Sequence, residues 1–279
     1  MQERPRGFIP TRQVVDEVSL RVRGLQGRGE PVDFLTFVPD GEPTLDAALG
    51  EAIDQLKDLL NIPVAVISNG SLLWREEVRH ALLRADWVSL KVDACRESVW
   101  RAVNRPHPRL GLEEVLKGIL LFAREYGGRL VTETMLVDRL NEGADDVKAV
   151  ASFVGQLTPE TAYLSIPTRP PARSWVRAPG EAAVNRAFQI LSEAVPKVEL
   201  LTGYEGADFA CSGETREDLL GMASVHPIRE DGLRRWLEKA GADWSLVEDL
   251  LRDAVLVATE YNGRRFFLRN LHGTVPQGS

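Results

Sequence analysis

The run Asp40-Gly41-Glu42-Pro43-Thr44-Leu45 follows directly on the apolar stretch Phe34-Leu35-Thr36-Phe37-Val38. Glycine carries no Cβ, so a small molecule can approach its backbone closely. The Glu42 carboxylate can salt-bridge an ammonium group, and Pro43 suits the first turn of a helix. The same string also serves as a plain strand-to-helix turn. A second polar cluster, Ser68-Asn69-Gly70, follows the next apolar run. Both polar side chains can hydrogen-bond ribose hydroxyls, and Gly70 permits a tight turn. A capped loop would use the same three residues.

Further along, Lys91-Val92-Asp93 closes a third apolar run. Strand side chains alternate, so Lys91 and Asp93 share a face and need a partner there, either each other or a ligand. Glu133 sits inside the strand-like run Val131-Thr132-Glu133-Thr134-Met135. A carboxylate in such a place is costly unless paired, and Lys91 is one candidate partner. Asn141 reads as a turn residue. Arg169 lies on the stiff segment Thr168-Arg169-Pro170-Pro171 and can bind a carboxylate or phosphate, or simply face water. The four histidines, His80, His107, His226 and His272, have no metal-binding spacing. Of these, His107 alone falls near the mouth that the strands would form. The two cysteines, Cys95 and Cys211, lie far apart, which excludes a disulfide framework and any cysteine-only metal motif. No catalytic residue is assigned at this level.

These residues need elements to hold them. Strand signals at Phe34–Val38, Val64–Ile67, Trp87–Val92, Leu130–Val137, Tyr163–Ile166 and Val198–Leu201 alternate with helix signals. The helices are expected at Thr11–Val22, Leu45–Leu60, Glu76–Arg84, Leu112–Tyr126, Asp145–Leu157 and Ala182–Ala194. This rhythm predicts an α/β fold with a parallel sheet, which right-handed crossovers curl into a full or partial barrel. The polar clusters fall where strands end, and ligands in such folds sit at those carboxyl ends.

From about Asp208 the pattern changes. Three short helices are expected at Thr215–Met222, Ile228–Ala240 and Trp244–Asp253. The alternating runs Val255–Glu260 and Arg264–Leu268 flank Asn262-Gly263, a hairpin signal. That order is the order of a winged-helix module. The expected domains are a barrel over residues 1–207, a winged-helix-like domain over 208–272 and a disordered tail over 273–279.

The 279 residues carry a net charge of -7, which argues against a broadly basic nucleic-acid-binding face. The charged start Met1-Gln2-Glu3-Arg4-Pro5-Arg6 is no signal peptide, and no run is long enough for a membrane span. A cytoplasmic location is expected.

Several stretches together resemble a family. They are Phe8-Ile9-Pro10-Thr11, Gly41-Glu42-Pro43-Thr44-Leu45, Ile67-Ser68-Asn69-Gly70-Ser71-Leu72-Leu73 and Ser89-Leu90-Lys91-Val92-Asp93-Ala94. They continue with Asn104-Arg105-Pro106, Glu133-Thr134-Met135-Leu136-Val137, Ile166-Pro167-Thr168-Arg169-Pro170-Pro171 and Val225-His226-Pro227-Ile228. In order and spacing the segment Gly7–Arg269 resembles archaeal and bacterial radical S-adenosylmethionine (SAM) proteins related to the wybutosine-type tRNA-modifying enzymes. The resemblance implies a partial (β/α)6 barrel with a C-terminal winged-helix-like domain. It implies Gly41, Glu42 and Pro43 at the methionyl end of SAM and Ser68 and Asn69 near its ribose. Lys91, Asp93 and Glu133 would lie on the inner wall, with Arg169 as a further contact.

The resemblance also implies a [4Fe–4S] cluster on a CxxxCxxC loop, after a first strand and shortly before the segment matching Phe8–Thr11. SAM bound to that cluster is cleaved by one electron to a 5′-deoxyadenosyl radical. These 279 residues contain no such loop and no residues assigned to that strand. The expectation is a fragment of a radical SAM enzyme, inactive as written, whose full-length form takes an electron from a reductant. Phe34–Val38 would then form an uncovered apolar edge. The alternative is a non-catalytic barrel that binds SAM or another nucleotide and acts through its small domain. The substrate is unknown. Kinship to tRNA-modifying enzymes suggests RNA, but the acidic balance does not support it.

Overall fold

The computed structural model describes residues 4–38, 41–201, 214–225, 227–261 and 263–270. Asp40, Cys211, His226, Asn262, His272, the boundary expected near residue 208 and the tail fall outside them. The chain divides into two compact units. The first gathers the residues up to Leu20 with Val32–Pro167 and the segment that begins at Trp175. The second gathers Arg21–Pro31, Thr168–Ser174 and the C-terminal residues.

Six strands of the first unit form one parallel sheet in unbroken sequence order: β1 (Leu35–Phe37), β2 (Val64–Ser68), β3 (Trp87–Lys91), β4 (Arg129–Met135), β5 (Thr161–Ser165) and β6 (Val198–Leu201). Helices run between them: α1 (Thr11–Gln26) precedes β1, and α2 (Leu49–Leu60), α3 (Glu76–Leu82), α4 (Glu97–Val103), α5 (Leu112–Glu125), α6 (Ala144–Leu157) and α7 (Glu181–Ala194) follow in turn. A parallel sheet covered by helices buries both of its faces, and β2 has four of its five residues buried. Ile53, Leu56, Leu82, Ile119, Phe122 and Val154 meet Val64, Val66, Val88 and Leu90 in one core. In α2, α5 and α6 the buried residues recur three and four apart, the helical period. β1 is an edge strand, and the flanking Phe34 and Val38 are exposed.

The first unit departs locally from the sequence reading. The helix expected from Leu45 is broken: Pro43–Leu45 forms a short 3-10 turn, and α2 begins only at Leu49. Between them Ala47 N donates to Arg6 O, and Ala48 N donates to the Asp46 carboxylate, so neither amide serves a helix. Helix α4 was not expected; it buries Trp100 alone, so no apolar residues recur along it to give a periodic signal. Helix α1 runs to Gln26, beyond the expected stop at Val22.

In the second unit α8 (Thr215–Val225), α9 (Glu230–Ala240) and α10 (Ser245–Arg252) accompany an antiparallel sheet of β7 (Ile228–Arg229), β8 (Leu256–Tyr261) and β9 (Arg264–Arg269) in the order β7-β9-β8. Ile228 and Arg229, expected to open a helix, instead pair with Phe267 and Phe266. Trp236, Leu237, Leu250 and Phe267 are buried in a core belonging to this unit.

Candidate functional site

Glu42 stands just before the 3-10 turn and accepts four hydrogen bonds. Thr44 donates through its backbone N at 3.2 Å and its Oγ1 at 2.8 Å. Ser68 Oγ donates at 2.6 Å and Asn69 N at 2.8 Å, both from the end of β2. Burial pushes the Glu42 carboxyl above its ordinary range, and the bonds from Ser68, Asn69 and Thr44 hold that rise back. Gly41 is exposed, and a Cβ added there would meet no atom within 4 Å, so the space beside its backbone is open. Pro43 occupies the start of the turn, as its fixed φ suits.

The loop after β2 is set by Gly70, whose φ is +69° and whose added Cβ would lie 2.9 Å from Ile119 Cδ1. Ser68 is buried; besides donating to Glu42 it accepts from Gly70 N at 3.0 Å. A hydroxyl has one proton to give, and here it goes to Glu42. Its second lone pair is still able to accept from a ligand hydroxyl, so holding Glu42 is compatible with the ribose contact expected of Ser68. Asn69 is exposed, with its Oδ1 accepting from Ser71 N at 2.9 Å.

On the next strands Lys91 lies directly opposite Glu133. Lys91 Nζ sits 3.3 Å from Glu133 Oε1 and 3.5 Å from Asp93 Oδ1. Burial alone would lower the lysine's pKa, but the two carboxylates outweigh it and hold the ammonium above its usual range. Ser165 Oγ donates to Glu133 at 2.9 Å. Asp93 is buried and accepts from Met135 N at 2.8 Å and from Asn104 Nδ2 at 2.6 Å. Asn141, expected only as a turn residue, is buried and ties this corner together. It donates to Asp93 O at 2.9 Å and to Met135 O at 2.8 Å, and accepts from Val137 N at 2.7 Å.

A cavity of about 340 Å³ opens beside these groups. Gly41, Glu42 and Asn69 line it from the strand ends, and Asn104, Arg105 and His107 from the loop after α4. Its volume is in the range of small-molecule pockets. Lys91, Asp93 and Glu133 do not line it; they reach it only through the Asp93–Asn104 bond. Arg169 belongs to the second unit and is partly buried. Sequence reasoning missed Asn104, Ser165 and the reach of Asn141. The Pro-flanked string Asn104-Arg105-Pro106-His107-Pro108 was the one signal for the cavity's far wall.

The donor set accommodates an amino-acid end: a buried, hydrogen-bonded carboxylate next to a backbone open to close approach. An iron–sulfur cluster finds no comparable set. Among the described residues no group of three His, Cys, Asp or Glu side chains is placed to hold a metal ion. Burial also pushes the Cys95 thiol up to about 12, which keeps it protonated near neutral pH.

The profile of the radical SAM superfamily matches residues 5–154. A UPF0026 protein of Methanocaldococcus jannaschii is 36% identical over 268 residues, covering 95% of this chain and 83% of its own. An S-adenosylmethionine-dependent nucleotide dehydratase of Flammeovirga pacifica is 30% identical over 166 residues, covering 56% of this chain and 53% of its own. Among solved structures, a radical SAM methyltransferase from Sphaerobacter thermophilus superposes with a TM-score of 0.51 at 18% identity, over 70% of this chain and 58% of that one.

Proposed function

The chain belongs to the radical SAM superfamily and groups with the UPF0026 proteins, and from that premise we propose that the cavity at the ends of β1 and β2 binds SAM. Glu42 receives the methionyl ammonium, Gly41 leaves room for the methionyl chain, and Asn69 offers its exposed amide to the ribose. Ser68 and Thr44 orient Glu42. Lys91, Asp93 and Glu133 shape the inner wall, and Asn104 carries that order to the cavity.

The single observation that carries this reading is the Glu42 carboxylate, fixed by four donors and lining a cavity large enough for a small molecule. The dehydratase relative supports it, because that protein is SAM-dependent by name. Bound SAM, with a reduced cluster, supplies a 5′-deoxyadenosyl radical in enzymes of this superfamily. In this reading the residues described here bind and orient SAM, a reductant supplies the electron, the substrate is a separate molecule and the setting is the cytoplasm.

We further assign the second unit to the winged-helix type. Support comes from its order of helix, strand, two helices and hairpin, with β9 between β7 and β8.

Calorimetric titration of SAM into the purified chain tests the main reading. The expected result is saturable binding that Glu42→Ala weakens about tenfold or more, as loss of a charge-assisted contact should. Equal SAM affinity in the wild type and in that variant would overturn the assignment.

A further inference from the structure

Helix α4 ends at Val103, Asn104 keeps a right-handed conformation, and Arg105 then turns left-handed at φ +47°. Helix ends of this kind favour glycine, and any other side chain there carries a backbone cost of about 1 kcal/mol. The backbone thus gains nothing from an arginine at this position, and what Arg105 adds comes from its side chain. Its guanidinium makes no hydrogen bond or ion pair with any described residue. The contrast is Arg101, one turn earlier, which is tied to Glu97 at 2.6 Å and to Leu110 O at 2.9 Å. Arg105 lines the cavity opposite the strand-end residues, and Pro106 stiffens the chain immediately after it. Its neighbour Asn104 also lines the cavity. With Nδ2 fixed on Asp93, Asn104 leaves Oδ1 buried without a partner. This wall of the cavity therefore offers both a cation and an acceptor that the chain itself does not use.

We propose that Arg105 forms an oxyanion subsite of this cavity, taking the paired oxygens of a carboxylate or phosphate on a bound molecule. Guanidinium binds both groups through two parallel hydrogen bonds. There are two sources of such a group. One is the carboxylate of SAM itself, and that branch rests on the cavity being the SAM site. The other is a phosphate on a separate substrate.

Calorimetry on the full chain, Arg105→Gln and Arg105→Gly separates these. The probes are SAM, 5′-methylthioadenosine, which keeps the nucleoside and lacks the carboxylate, and inorganic pyrophosphate. A drop of about tenfold in SAM affinity in both variants, with methylthioadenosine unchanged, supports the subsite and identifies the SAM carboxylate. Loss of pyrophosphate binding with SAM unchanged supports it and identifies a phosphate. In either case Arg105→Gly melts no lower than the wild type, because glycine suits the left-handed backbone. Three results overturn the subsite: all probes binding the variants as they bind the wild type, affinity for methylthioadenosine falling in step with the rest, or Arg105→Gly melting lower. If all probes bind the variants unchanged, SAM binding by the wild type still stands. Arg105-dependent pyrophosphate binding without SAM binding overturns the SAM reading and keeps the subsite. If the wild type binds no probe, both fail.

Discussion

Ser68 Oγ donates to Glu42 Oε1 at 2.6 Å, joining residues 26 positions apart at the ends of neighbouring strands. The bond fixes the carboxylate's direction as well as its charge. Asn69 N holds the second oxygen at 2.8 Å, so the group cannot rotate without losing a bond at each end. Burial works against its ionised form, and the donors work for it. A carboxylate left in that balance gains from an incoming ammonium more than a solvated one would.

Replacing Ser68 by alanine removes one donor and leaves the carboxylate buried. The expected cost is about 1–2 kcal/mol in folding stability, read from a denaturant midpoint. SAM affinity is expected to fall roughly three- to tenfold, because the carboxylate loses its orientation while its charge remains. Unchanged affinity in a variant that has lost stability would mean that Ser68 serves only the fold.

The raised Glu42 carboxyl gives a pH signature of known sign. With its folded value above 4.5, the folded chain keeps a proton that the unfolded chain has already released. The stability it contributes is complete below the unfolded value and is lost as pH rises through the folded one. Ligand binding runs the other way. An ammonium selects the ionised carboxylate, so SAM affinity should weaken as pH falls through the raised value. Glu42→Gln should flatten both slopes. Titrations across the mildly acidic range, in buffers of different ionisation enthalpy, would also count the proton released on binding; no release by the wild type would sink the argument.

Much of this arrangement was legible before any coordinates. The strands were found because their apolar runs are short, are bounded by turn residues and end in polar clusters. Lys91, Asp93 and Glu133 could be placed on one wall because strand side chains alternate, and the pairing of Lys91 with Glu133 follows from the register of β3 on β4. The break before α2 was not legible, since it depends on Arg6 reaching Ala47 from far upstream in the chain. Asn141 was underestimated for a similar reason. An asparagine after a strand is common in turns, and two of its three bonds are local, to Val137 and Met135; the third, to Asp93 O, exists only once β3 and β4 lie side by side. For Ser68 the sequence gives the hydroxyl's chemistry but not its proton's destination, Glu42, which only the fold brings within reach.

Gly118 tests how tightly the helix layer supports the loop at the site. It lies inside α5, where alanine would ordinarily gain about 1 kcal/mol over glycine. Here an added Cβ would lie 2.2 Å from Trp74 N and 2.4 Å from Leu73 C. Both are backbone atoms and cannot rotate away, so overpacking wins. Gly118→Ala should lose roughly 2–3 kcal/mol of stability. The affected segment continues from Asn69 and Gly70 and includes Leu72, which lines the cavity, so SAM affinity should fall as well. Gly127, with no atom within 4 Å of an added Cβ, is the control, and Gly127→Ala should change stability by no more than about 0.5 kcal/mol. A neutral Gly118→Ala would show that the loop is free to move.

The winged-helix type proposed for the second unit invites a nucleic-acid role, and the unit's charges argue against one. Helix α10 carries Glu248 and Asp249, with Asp253 just beyond, against Arg252, which is itself paired to Asp249 at 2.7 Å. A phosphate backbone would meet net repulsion there. The arginines of the neighbouring surface are largely engaged within the unit. Arg229 pairs with Asp231, Arg234 with Glu230 at 2.6 Å, and Arg265 with Glu230 at 3.8 Å. Arg264, and Arg265 with its long 3.8 Å pairing, are the hairpin groups most open to a polyanion. Binding to tRNA or duplex DNA at about 0.15 M salt is therefore expected to be micromolar or weaker, with a shallow dependence on salt. Fluorescence anisotropy across a salt series checks this. A sub-micromolar complex with a steep salt slope, weakened by Arg264→Ala or Arg265→Ala, would mean that two hairpin arginines outweigh the acidic helix.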